Sequence, residues 1–184
     1  MLLSAWPLTG LPLLLASLPL RAREPLQWDE VKARIRASHP GVPQLSVAAL
    51  QAWLRDGGRR RPLLLDARAR DEYTVSHIEG AHHAPTLAEA QAVLARHAQD
   101  RQVVLYCSVG LRSSVLAERL LARLRRDRAA GEVLPEVFNL EGSLFEWANA
   151  GLPLTSAQGP ATQVHPYDAH WGTLLKRERW SRLP

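Results

Sequence analysis

Short apolar strands alternating with longer amphipathic helices predict an α/β domain built on a mainly parallel central sheet. Two observations carry this expectation. Leu63–Leu65 and Val103–Tyr106 are continuous apolar runs of strand length, as strands covered on both faces should be. Each is followed by residues repeating at helical spacing, so strand and helix alternate along the chain.

The elements follow in order. Trp28 to Arg36 reads as a short helix, with Asp29 and Glu30 placed in its first turn as the helix dipole favours. After the break at "SHPGVP", Ser46 can cap a helix through Leu50, Trp53 and Leu54 that stops at Gly57 and Gly58. The strand "LLLD" comes next. Thr86 and Glu89 form a capping box for a helix whose stripe is Leu87, Val93 and Leu94. The strand ending at Tyr106 leads into a turn, then a helix starting near Ser113 or Ser114 in which Val115, Leu116, Leu120, Leu121 and Leu124 form one face. "EVFNL" is a further strand, and "EGSLFEWANAG" a short helix closed by Gly151 and Pro153.

The 184 residues, 46% hydrophobic and 22% charged, suffice for one domain with modest extensions. The net charge of +5, from 23 Lys+Arg against 18 Asp+Glu, is scattered over several segments. It therefore points to small anionic substrates rather than to nucleic acid. A single cysteine excludes an internal disulfide framework and any multi-thiolate metal site. Residues 1–25 are apolar up to Leu20 and then carry Arg21 and Arg23, which reads as an export signal or weak membrane anchor. On that reading a periplasmic or membrane-associated location is favoured over a cytoplasmic one, with membrane contact only through this segment.

That cysteine sits in "YCSVGLRSS", between an apolar strand and a helix. A turn of this kind aims backbone N–H groups at one point and adds the positive end of the helix dipole, which makes an anion site. Gly110 permits unusual backbone conformations and Arg112 brings a fixed charge. Cys107 in that setting should be acidified and nucleophilic rather than inert packing. Ser108, Val109, Gly110, Leu111 and Arg112 would form the substrate-binding cradle. Asp66 and Arg68, at a strand's carboxyl end, either line the mouth and orient the loop or form a structural pair. His77 reads as a structural hydrogen-bonding residue, and Trp147 as core. The adjacent His82 and His83 would point to opposite faces of a strand, so no metal site is expected.

"CSVGLRS" resembles the active-site loop of the rhodanese superfamily. "LLLDARARDEYTVSHIEGAHHAP" is similar to that family's opening segment through Asp66, Arg68, Glu72, Tyr73, His77, Ile78, Gly80, Ala81 and Pro85. "VFNLEGSLFEWANAGLPL" resembles its closing segment through Leu140, Gly142, Trp147, Gly151 and Pro153. The resemblance implies a rhodanese-like domain over 46–154, with helices on both faces of the sheet. It is preceded by a short helix and linker over 26–45 and followed by a C-terminal tail, 155–184, packed on the domain. It also implies a sulfurtransferase without metal or organic cofactor: Cys107 takes a sulfane sulfur from a donor such as thiosulfate or a persulfide and passes it to cyanide, a thiol or a protein acceptor. Cysteine-based phosphatases of the same fold use a loop one residue longer, and the four residues between Cys107 and Arg112 favour sulfur over phosphate. Ser108 stands where many thiosulfate-using members carry arginine or another larger polar residue. Ser76 and Ser143 replace glycines, which bears on local turns rather than on the thiol. The alternative from another class is a non-catalytic rhodanese-fold binding module.

Overall fold

The structure, a computed structural model, describes residues 26–97, 102–131 and 133–181. The apolar segment read as an export signal or anchor lies outside the described residues. Among the described residues no helix is long and apolar enough to cross a membrane.

Helix α1 (Trp28–Ser38) leads to β1 (Gln44–Leu45) and α2 (Val47–Arg55), capped by Ser46, whose hydroxyl accepts from the Ala49 amide at 3.1 Å. Then come β2 (Leu63–Asp66), α3 (Arg70–Val75), β3 (His82–His83), α4 (Leu87–Arg96), β4 (Val103–Tyr106), α5 (Leu111–Asp127), β5 (Val137–Leu140) and α6 (Ser143–Asn149). A β6–β7 hairpin (Leu154–Ser156 and Gly159–Ala161) and two 3-10 turns (Trp171–Leu174 and Arg177–Arg179) follow. The expected capping box at α4 is present: Thr86 Oγ1 accepts from the Glu89 amide, and a Glu89 carboxylate oxygen accepts from the Thr86 amide.

Five strands form one parallel sheet in the order β1-β5-β4-β2-β3. Successive side chains of a strand point to opposite faces, and the two cores divide accordingly. Leu64, Val104, Tyr106 and Leu140 enter one core with residues of α1, α2 and α6, including Ile35, Leu50, Trp53 and Phe145. Leu63, Leu65, Val103, Leu105 and Val137 enter the other with Val93 and Leu94 of α4 and Leu116 and Leu120 of α5. Both faces are therefore covered, which explains why β2 and β4 are buried at every residue rather than at alternate ones.

The short β1, the six-residue α3 and the hairpin carry too few residues to leave a periodic signal, and the sequence reading passed over them. In the tail, Val164, Leu174 and Leu175 are buried in the α1/α2/α6 core, with Trp171 and Trp180 partly buried against it. Asn149 Nδ2 donates to the Leu174 carbonyl at 2.8 Å, and the Lys176 amide donates to Asn149 Oδ1 at 2.9 Å, which ties the tail to the end of α6.

Candidate functional site

The chain runs from β2 out to β3, then back across β2 to β4, so the order of strands reverses between β2 and β4. Open α/β sheets bind ligands at such a reversal, beyond the carboxyl ends of the strands. Cys107 follows β4 at that point and is only 1% exposed.

The loop after Cys107 is fixed from outside. The first amides of α6 take its carbonyls: the Leu144 amide donates to the Cys107 carbonyl at 3.1 Å and the Phe145 amide to that of Ser108 at 3.0 Å. The Gly110 amide donates to Cys107 Sγ at 3.2 Å. Gly110 has φ +109°, and a Cβ there would lie 3.2 Å from Asn139 Nδ2, so only glycine fits the turn. This turn carries the chain directly into α5 at Leu111, two residues earlier than the serines expected to cap it. Ser113 and Ser114 lie within the first turn instead, with their hydroxyls donating to Asn139 Oδ1 at 2.6 Å and to the Gly110 carbonyl at 2.8 Å.

Burial pushes the Cys107 thiol up, but the Arg112 charge and the hydrogen bonding from Ser113 and Gly110 outweigh it and hold the thiol below its ordinary range. The arrangement thus favours a thiolate at the amino end of a 17-residue helix.

Arg112 is not an isolated cation. Its Nη1 and Nη2 donate to the two carboxylate oxygens of Glu72 at 2.6 and 2.7 Å, and Nη2 also reaches Ser108 Oγ at 2.8 Å. Ser108 Oγ donates in turn to Glu72 at 2.9 Å. Glu72 is 2% exposed and also accepts from the Ala69 amide at 3.0 Å. Burial acts to raise its carboxyl, yet Arg112, the Ala69 amide and Arg68 together hold it below the usual carboxylate range. The serine after the cysteine therefore completes a Glu72–Arg112–Ser108 network.

Asp66 and Arg68 are both 0% exposed and lie behind the loop. Arg68 Nε and Nη2 donate to Asp66 at 2.9 and 2.7 Å, and Nη2 also donates to the Ser76 carbonyl at 2.5 Å. The pair thus ties the end of β2 to the far end of α3; neither side chain lines the mouth. His77 hydrogen-bonds the Tyr73 carbonyl through Nδ1 at 3.0 Å and stacks on the Tyr73 ring, and Trp147 is buried. Among the described residues no three His, Cys, Asp or Glu side chains are grouped as metal ligands.

Three contributions escaped the sequence reading. Ser143, expected to bear only on a local turn, has φ 49° and accepts from the Cys107 amide at 3.2 Å while donating to the Leu140 carbonyl at 2.8 Å. Its departure from glycine was the available signal. Glu72, noticed only as part of a Glu-Tyr pair, touches the loop. Finally, a half-open cleft of about 90 Å³ over Cys107 is lined by loop residues together with Tyr167 and Trp171 of the tail. Tyr167 is 47% exposed, and its ring centroid lies 4.8 Å from the Arg112 guanidinium carbon. It has φ 68°, and the Asp168 amide donates across it to the Pro166 carbonyl at 2.9 Å, forming a strained three-residue turn. Such a conformation costs on the order of 1–3 kcal/mol in a residue other than glycine.

A parallel sheet covered by helices on both faces, with a cysteine loop leading into a helix at the strand reversal, defines a rhodanese-type architecture. The chain belongs to the rhodanese-like domain family, whose model matches residues 46–150. It is 36% identical over 105 residues to "Probable adenylyltransferase/sulfurtransferase MoeZ" of Mycobacterium tuberculosis, covering 56% of this chain and 24% of that protein. It is 38% identical over 91 residues to "HTH-type transcriptional regulator Rv0324" of the same organism, covering 50% and 36%. The chain thus spans little more than a third, or less, of these relatives' own length. Among solved structures it is similar to a thiosulfate sulfurtransferase from Pseudomonas aeruginosa, with TM-score 0.53 and 26% identity over 70% of this chain and 23% of that one. BH2092 of Bacillus halodurans shares the fold, with TM-score 0.52 and 17% identity over 70% and 87%. The family and the sulfurtransferase-named neighbours place the domain in a sulfurtransferase superfamily.

Proposed function

We propose that the protein is a sulfurtransferase that carries a sulfane sulfur on Cys107. The observation that bears most weight is the thiol itself, buried yet acidified, with its sulfur accepting the Gly110 amide at the amino end of α5. The Cys107 thiolate attacks the outer sulfur of a donor such as thiosulfate or a persulfide. A new S–S bond forms, the donor's own S–S bond breaks, and its electron pair leaves on sulfite or on the donor thiolate. The terminal sulfur of the resulting persulfide is an anion, and the amides of residues 108 to 112 suit it as they suit the thiolate. A cyanide or thiolate acceptor then attacks that terminal sulfur and releases the Cys107 thiolate, giving two half-reactions that share one loop.

Arg112 supports the thiolate electrostatically and is oriented by Glu72. Ser143 holds the Cys107 amide, and Asp66 with Arg68 holds the chain behind the loop. The test is intact mass of the purified protein after thiosulfate or polysulfide treatment, beside Cys107→Ser, followed by cyanide and detection of thiocyanate. The expected result is a gain of one sulfur on the wild type only, discharged by cyanide. Failure of every donor to load a thiol that iodoacetamide alkylates readily overturns the reading and leaves a binding module.

A further inference from the structure

The residues that shape the mouth of the cleft come from outside the family-matched segment. Tyr167 and Trp171 lie beyond residue 150, yet they line the cavity over Cys107 with Val109 and Leu111. They are held firmly. Val164, just before them, is fully buried and exchanges hydrogen bonds with the segment around Trp180, its amide donating to the Arg179 carbonyl at 2.7 Å and its carbonyl accepting from the Ser181 amide at 2.9 Å. The Tyr167 amide donates to His165 Nδ1 at 3.0 Å. A strained turn maintained this way is most common at sites where the displayed side chain has a use.

The charge in the cleft points the same way. Arg112 is the cation that acts on the sulfur, and both its Nη atoms are already on Glu72. The Arg112 charge is thus shared between the Glu72 carboxylate and the Cys107 sulfur, which leaves little of it for a second negative charge on an incoming donor. The Tyr167 ring also lies over the guanidinium. Past Leu111 and Trp171, which it shares with the first cleft, a second cavity of about 110 Å³ runs along α1 and is lined by Leu26, Val31 and Ile35, with Ser38 and the opposed charges of Glu30 and Arg34 beside them. The surface leading away from the thiol is therefore mainly apolar and aromatic, with its two charges of opposite sign.

We propose, resting on the sulfurtransferase reading, that Tyr167 and Trp171 are specificity-determining residues that select a sulfur donor with an apolar, aromatic body and at most one negative charge over inorganic thiosulfate. The step balances with a single thiosulfonate anion. The Cys107 thiolate attacks the outer sulfur, the S–S bond breaks, and the electron pair leaves on a sulfinate, with one negative charge on each partner before and after.

The experiment measures single-turnover loading of Cys107 in the full chain by benzenethiosulfonate, methanethiosulfonate and thiosulfate, each normalised to its reaction with free cysteine. The first two carry the same charge and differ in the ring; the last two differ chiefly in charge. Wild type is expected to favour the aryl over the methyl donor, and Tyr167→Gly to reduce that ratio about five- to tenfold, as loss of an aromatic contact and its buried area implies. Tyr167→Phe should retain it. Glycine relieves the positive φ, so the variant should fold; if it does not, Trp171→Leu carries the same comparison. An aryl/methyl ratio in the tested variant within about twofold of wild type, or a collapsed ratio in Tyr167→Phe, overturns the proposal while leaving the sulfurtransferase reading intact. Failure of all three donors to load wild type overturns the proposal, and failure of polysulfide as well overturns the sulfurtransferase reading.

Discussion

Two arginine–carboxylate pairs, Asp66–Arg68 and Glu72–Arg112, serve the same loop, and they do different work. Asp66–Arg68 is sealed at 0% exposure on both sides, whereas Glu72–Arg112 joins a carboxylate at 2% to a guanidinium at 34% beside the thiol. Both are forked, with two N–H donors on one carboxylate. The first lies behind the loop, and its outward bond goes to the Ser76 carbonyl, so its charges cancel inside the framework. The second faces Cys107, where any change in the balance of its two charges is felt by the sulfur. The same chemical pair is a brace when enclosed and an electrostatic setting when it borders a reacting atom.

The largest expected effect separates the pairs by burial. Arg68→Met strands a fully buried carboxylate and should lower unfolding free energy by about 3–5 kcal/mol. Arg112→Met leaves Glu72 with the Ala69 amide and the Ser108 hydroxyl, and should cost about 1–3 kcal/mol. Urea unfolding of the two variants checks this, and equal losses would erase the distinction.

A smaller effect sharpens it at the sulfur. Arg112 is the largest influence lowering the Cys107 thiol, so Arg112→Met should move the pH midpoint of thiolate ultraviolet absorbance upward. Glu72→Gln removes the opposing negative charge and should move the midpoint downward. It should also raise thiosulfate loading relative to methanethiosulfonate, since the Arg112 charge is no longer neutralised. Shifts of the same sign in both variants would mean that Glu72 acts on the thiol only through the position of Arg112.

The frame of this pattern was legible in the sequence. Strands buried on both faces leave continuous apolar runs, and the cysteine turn is local, so β2, β4 and residues 107–112 could be read directly. The contacts that set the site's character join distant residues. Ser143 meets the Cys107 amide and Glu72 meets Ser108, each across 36 residues, and Glu72 meets Arg112 across 40. Tyr167 and Trp171 arrive from the tail, where no periodicity shows which ring will turn toward the cleft. The first turn of α5 was misplaced because Ser113 and Ser114 are good capping residues, yet Gly110 starts the helix by its positive φ and frees their hydroxyls for other partners.

The smallest expected effect is a pH dependence of stability that belongs to one pair only. The folded chain holds the Cys107 thiol below its ordinary value, so the thiolate contributes stability that is fully present above the unfolded thiol range and is lost as pH falls through the folded value. Cys107→Ser lacks this contribution. The melting-temperature gap between wild type and Cys107→Ser, under reducing conditions, should therefore grow as pH rises from the folded toward the unfolded thiol range. Arg112 keeps its charge throughout, so Arg112→Met should flatten that growth. In an Arg68→Met background, where the cation beside the sulfur is untouched, the same growth should persist. A gap that stays constant with pH in wild type would mean that the burial cost of the thiolate cancels what Arg112 and the loop amides contribute.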